Sequence, residues 1–264
     1  MSSDPDSRRP LPVATIAIVA TCVAVWLLQI LRGVPLMNES VSTAIDWGGS
    51  LPLYVLTGEP WRLVTAIFLH VDMVHLAINM IVFSLTAPHL ERAFGPLRMV
   101  AIFLVGGILA NAGHTAWAAL NSGPAEFGRL LSVLSGASGG LMALLGALLV
   151  PSLLAALGHE PYATILGGRV DRNLLVTILI NIGICFAIPH WDPTINIAGA
   201  LAGLVVGGIV LAAPDRADTA ANLLRFAAVG LLVAACVGGL ARSGDRDFLV
   251  ELRTQYDAWR AAHP

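Results

Sequence analysis

Long apolar runs broken by short polar stretches dominate the chain. Runs at 11–31, 99–120, 136–157, 172–189, 195–213 and 223–241 each come close to the roughly 20 residues that cross a bilayer as a helix. Another, at 66–90, is apolar overall but carries His70, Asp72, His75 and Asn79. Such groups are costly in lipid unless they face protein or water. The pattern therefore predicts seven membrane helices, one of them with a polar face. Pro60, Pro96, Pro189 and Pro214 fall near the proposed ends, where a proline removes no needed helix hydrogen bond. The first run follows Arg8 and Arg9. Its apolar core is too long for a signal peptide and no clear small-residue cleavage site follows, so an uncleaved anchor is expected. In the tail, Phe248, Leu252, Tyr256 and Trp259 recur at helical spacing. That spacing fits an amphipathic helix lying on the membrane or on the protein, with a mobile tail as the alternative.

Composition rules out a soluble domain. Hydrophobic residues make up 56% of the 264 and charged residues 12%, about half the usual soluble share, and mean hydropathy is +0.78. The expected class is an all-α polytopic membrane protein. The net charge of −2, with no block of like charge, gives nucleic acid no basic face, so the bilayer is the expected partner and nucleic acid is not. Cys22, Cys185 and Cys236 lie far apart in apolar runs, with neither metal-ligand nor disulfide-framework spacing. They read as small core residues, and no metal or other cofactor is expected. All fifteen basic residues are arginine. With the amino terminus in the cytoplasm, Arg8, Arg9, Arg92, Arg98, Arg169, Arg172, Arg216 and Arg225 lie inside, and Arg32, Arg62 and Arg129 outside. The inside excess favours that orientation. It leaves the tail, with Arg242, Arg246, Arg253 and Arg260, outside after seven spans.

Candidate chemistry begins at Ser135-Gly136-Ala137-Ser138-Gly139-Gly140. It contains a G-x-S-x-G string, which in soluble hydrolases is a strained strand-to-helix elbow. Here no strand pattern precedes it and an apolar helix follows. Alone, a serine among glycines in such a helix is most often a close-packing device. It is not alone, because Trp61-Arg62 precedes a helix carrying His70, His75 and Asn79. His75 and Asn79 stand i, i+4 on one helical face, so both can donate hydrogen bonds to one point, as an oxyanion requires. The bland alternative is hydrogen bonding between helices.

Together these motifs resemble the rhomboid family over about residues 58–210: the W-R pair in the first loop, the H-x4-H-x3-N pattern, and the G-x-S-G serine, in that order. The resemblance implies a rhomboid-like six-helix bundle over 11–213 and a seventh helix over 214–241. A cytoplasmic segment at 1–10 and the amphipathic tail at 242–264 would flank them. It implies a multi-pass protein of a bacterial plasma membrane. Ser138 would be the nucleophile, with Gly136 in its motif. His75, Asn79 and the Ser138 backbone N–H would hold the oxyanion, each donor worth roughly 3–4 kcal/mol in other enzymes. Trp61 and Arg62 would brace the loop, and Gly199 and Gly203 would let two helices approach. Partners would be transmembrane proteins.

The base position departs from that pattern. Where the family carries a histidine three residues before the first of those glycines, this chain has Asn196. An amide has no lone pair basic enough to take a serine proton near neutral pH, whereas imidazole titrates near 6.5. Met142, one turn after Ser138, replaces the family's aromatic ring. Neither His190, about 9 Å higher on a regular helix, nor His75, His89, His114, His159 or His263 offers a convincing substitute. Two functions follow: an intramembrane serine endopeptidase with an impaired base, or a pseudoprotease that binds transmembrane clients without cutting them. Mechanism favours the second.

Overall fold

A computed structural model describes residues 11–37, 39–157, 172–187, 192–211, 219–242 and 246–263. The segment 1–10 and His159 and His190 lie outside the described residues. The helices are α1 (Val13–Leu31), α2 (Val41–Asp46), α3 (Pro52–Leu56), α4 (Arg62–Thr65), α5 (Met73–Phe94), α6 (Pro96–Leu120), α7 (Ser138–Ala156), α8 (Arg172–Ala187), α9 (Pro193–Leu211), α10 (Thr219–Leu240) and α11 (Arg246–Ala262). Five of them, α1, α5, α6, α9 and α10, are long and apolar enough to cross a membrane, and α7 and α8 contribute shorter apolar stretches. All seven fall within the predicted runs or within a few residues of them. The chain is thus an all-α, multi-pass membrane protein.

Local chemistry sets the helix ends. The Asp72 carboxylate accepts the backbone N–H of His75 at 2.7 Å and so caps α5. Gly95, at φ +91°, ends α5, and Pro96 opens α6 as its first residue. At the same end of the bundle Glu91, buried on α5, accepts the N–H groups of Ala14 and Thr15 and the Thr15 hydroxyl. A side chain 76 residues away in sequence thereby satisfies the free donors of the first turn of α1.

The middle of α7 is apolar on every face and buried on every face: each residue from Leu141 to Ala147 is inaccessible. A helix of that kind belongs at the centre, and α5, α6, α8 and α9 pack around it. Its contact with α9 depends on small residues. A Cβ on Gly199 or Gly203 would run into the backbone carbonyls of Gly139 and Ala143, and one on Gly207 would meet Ala147. The two backbones therefore touch, as small residues four apart allow.

A second core lies at the upper end, the end at which α1 finishes and α5 begins. Leu51, Leu53, Tyr54, Leu56, Leu63, Leu130 and Leu240 pack there with Leu249 and Leu252 of α11. The tail helix is docked on the first loop. Arg253 pairs with Glu59 and Arg260 with Asp46, Tyr54 donates to Asp257, and the Arg253 guanidinium lies over the Tyr54 ring. Burial and the Asp257 carboxylate push the Tyr54 phenol above its ordinary pKa.

Candidate functional site

Ser138 is the first residue of α7, so its backbone N–H has no acceptor within the helix and lies at the positive end of the helix dipole. The turn before it is held from two sides. Gly136 sits at φ +129° and donates its N–H to Ala66 O at 2.8 Å. A Cβ there would stand 2.6 Å from His75 Cε1 and 3.6 Å from Asn79 Nδ2. Glycine is required twice, by the backbone angle and by the imidazole beside it. His75 and Asn79 are both buried on α5, and no described residue accepts from Asn79 Nδ2. The His70 ring meets the His75 ring edge-on at 5.3 Å between centroids, and its Nε2 lies 3.5 Å from the N–H of Ala137.

The opposite wall comes from α9. A Cβ on Gly139 would lie 3.2 Å from Ile195 and 2.8 Å from Ala110, so the head of α7 is wedged between α6 and the turn of α9 that carries Asn196. Asn196 is buried, and its amide faces α8: Nδ2 donates to Cys185 Sγ at 3.0 Å and to Asn181 O at 3.4 Å. Its Oδ1 has no partner among the described residues. Met142 is buried with Leu145 and Ile178, filling the space between α7 and α8.

Arg62 and Trp61 brace the first loop. The Arg62 guanidinium donates to Glu59 at 2.7 Å, Ile45 O at 2.6 Å and Gly49 O at 3.1 Å. It lies over both the Tyr54 and Trp61 rings. Trp61 is half exposed. Elsewhere His89 is exposed on α5, and His263 stacks on Trp259 in α11. Among the described residues no three His, Cys, Asp or Glu side chains gather as metal ligands would.

Sequence reasoning missed two contacts here. The turn of Asn196 toward Cys185 joins residues on different helices, and the surroundings of His114, described below, join three separate segments. Neither leaves a local motif.

A multi-pass helical membrane protein with a serine at the head of its central helix is the class that fold and site define. A rhomboid-domain family model matches residues 57–213, and the chain belongs to the rhomboid family. It is 29% identical to the rhomboid protease GluP of Bacillus subtilis over 215 residues, 81% of this chain and 37% of that protein. With the putative rhomboid protease YdcA of the same organism it shares 30% over 207 residues, 77% of this chain and 88% of that one. With the inactive RHOMBOID-like protein 8 of Arabidopsis thaliana it shares 31% over 106 residues, 38% of this chain and 30% of that one. The chain spans between about a third and three fifths of the length of GluP and the RHOMBOID-like proteins 5 and 6 of Arabidopsis.

Proposed function

We propose that this chain is a rhomboid pseudoprotease: a protein of the bacterial plasma membrane, amino terminus in the cytoplasm, that binds transmembrane clients without cleaving them. The observation that carries the reading is Asn196. By resemblance to the family it falls where the general base would stand, it has no basic lone pair, and its amide donates to Cys185 and Asn181 on α8. Without a base, a serine triad loses on the order of 10⁴ to 10⁶ in rate. The scaffold that would bind a client is intact: the close α7–α9 contact, the Arg62 brace, and His75 and Asn79 beside Gly136.

Those same intact parts favour a second reading, a rhomboid serine endopeptidase using Ser138, His75 and Asn79 with an impaired base. Proteoliposomes containing the chain and a fluorescently labelled single-span peptide separate the two. Energy transfer between labelled protein and peptide, with the peptide uncut after prolonged incubation, is the expected result. Peptide cleavage that disappears in Ser138→Ala establishes the endopeptidase instead.

A further inference from the structure

At the upper end of the bundle a second serine is placed within reach of a histidine and a carboxylate. His114, on α6, has a wholly buried side chain. Its Nδ1 lies 2.7 Å from Thr194 Oγ1 and 3.3 Å from Asp192 Oδ2, and its Nε2 lies 3.1 Å from Ser132 Oγ. The hydrogen bonds fix the tautomer. Thr194 donates its hydroxyl proton to Asp192 Oδ1 at 2.6 Å, so its oxygen can only accept, and the proton it accepts is the one on His114 Nδ1. Nε2 is left as a bare acceptor aimed at the Ser132 hydroxyl. At rest that hydroxyl donates its proton to Arg129 O at 2.8 Å, and it reaches Nε2 by turning away from that carbonyl. The arrangement has the roles of a serine relay: a nucleophile, a base within hydrogen-bond reach, and an acid that orients the base.

The access is appropriate too. Ser132 is partly exposed at one end of the relay and the Asp192 carboxylate is 26% exposed at the other, with the imidazole sealed between them. The neighbouring surface is apolar for its position at a membrane boundary: Leu120 is 85% exposed, and Trp117 and Phe127 are each 38% exposed. The Arg129 guanidinium covers the Trp117 ring at 5.4 Å. Such a surface suits an acyl chain presented at the edge of the bilayer.

We propose that Ser132, His114 and Asp192 form a second acyl-transfer centre, separate from Ser138, that hydrolyses esters of apolar acids at the membrane surface. Ser132 Oγ attacks the ester carbonyl carbon while its proton passes to His114 Nε2. The carbon–oxygen bond to the alcohol breaks, and the departing oxygen takes that proton. Water then attacks the acyl-serine, giving one proton to Nε2, and Ser132 Oγ recovers it as the acid leaves. The sum is ester plus water to acid plus alcohol. An ester is the fitting substrate because its leaving oxygen needs less protonation than an amide nitrogen.

The test uses the full chain in liposomes with Ser138→Ala as background and an alkyl fluorophosphonate as probe, the adduct located by peptide sequencing in a mass spectrometer. Fluoride leaves and the phosphonyl group is expected on Ser132. Labelling is expected to vanish in Ser132→Ala and to slow about 100-fold or more in His114→Gln and in Asp192→Asn. Thermal unfolding of each variant shows that it is folded, and Asp192→Asn serves if His114→Gln is not. Hydrolysis of p-nitrophenyl octanoate follows the same order. A folded protein with no adduct on Ser132, or one labelled at an unchanged rate in Asp192→Asn, reduces the cluster to a structural tie and overturns the proposal.

Discussion

The two sides of Ser138 have been kept to different standards. On the α5 side, Gly136 leaves room for no side chain beside His75 and Asn79. On the α9 side, the backbone packing is equally close at Gly199 and Gly203, yet the Asn196 amide turns away to donate to α8. Packing and chemistry have separated within one site. The turn at Gly136 that joins α7 to α5 also places His75 and Asn79, so a change that loosens the packing moves both side chains. Among the described residues the Asn196 side chain makes only the two bonds to α8 and has no comparable part in the α7–α9 packing.

If that is right, the packing residues on both sides should be costly to change and Asn196 should be cheap. The largest effect is expected from Gly199→Leu, whose side chain would enter the carbonyl of Gly139. A loss of about 3 kcal/mol or more, or failure to fold, follows from overpacking two touching backbones. A thermal midpoint in detergent equal to that of the unmodified chain would mean that α9 does not pack on α7 as described. Next comes Gly136→Ala, expected to cost about 1–3 kcal/mol from the positive φ and the displaced imidazole. The loss should shrink when His75→Ala is added, since the added methyl then meets Asn79 Nδ2 at 3.6 Å, an ordinary contact; strict additivity would detach His75 from the turn.

Asn196→Leu is expected to change stability by about 1 kcal/mol or less, because it removes one bond to sulfur and one long bond to a carbonyl together with an unpaired acceptor. A large loss would show that the amide had taken over a structural role. The smallest effect concerns Glu39, in the first loop, whose carboxyl burial pushes up to about 7. A carboxyl raised in the folded state favours folding below its unfolded value near 4.5, and that contribution is lost as pH climbs toward 7. The thermal midpoint should therefore decline over that interval, and Glu39→Gln should flatten the decline.

Much of this was legible in the sequence. Among the described residues the apolar runs located the five helices long enough to span and the two shorter apolar ones, because a helix in lipid must be apolar over a fixed length and little else competes with that signal. His75 and Asn79 were legible as a pair because i, i+4 spacing is a local property, and Ser138 because its glycines are adjacent to it. The donation of Asn196 to Cys185 was not legible, since rotamers depend on a neighbouring helix the sequence does not place. The docking of α11 on the first loop and the cap that Glu91 supplies to α1 are likewise contacts between distant segments. Their residues carry no pattern beyond being charged.

Position 196 decides between the two proposed functions. Histidine and asparagine branch alike at Cβ and Cγ, so in Asn196→His the Nδ1–H can keep the bond to α8 and leave Nε2 free toward Ser138. The measurement is cleavage of a fluorescent single-span peptide by the unmodified chain, by Asn196→His, and by Asn196→His combined with Met142→Tyr, each with Ser138→Ala as control. No cleavage by the unmodified chain and Ser138-dependent cleavage by at least one histidine variant is the predicted result. Robust cleavage by the unmodified chain, abolished by Ser138→Ala, would contradict it and require another base.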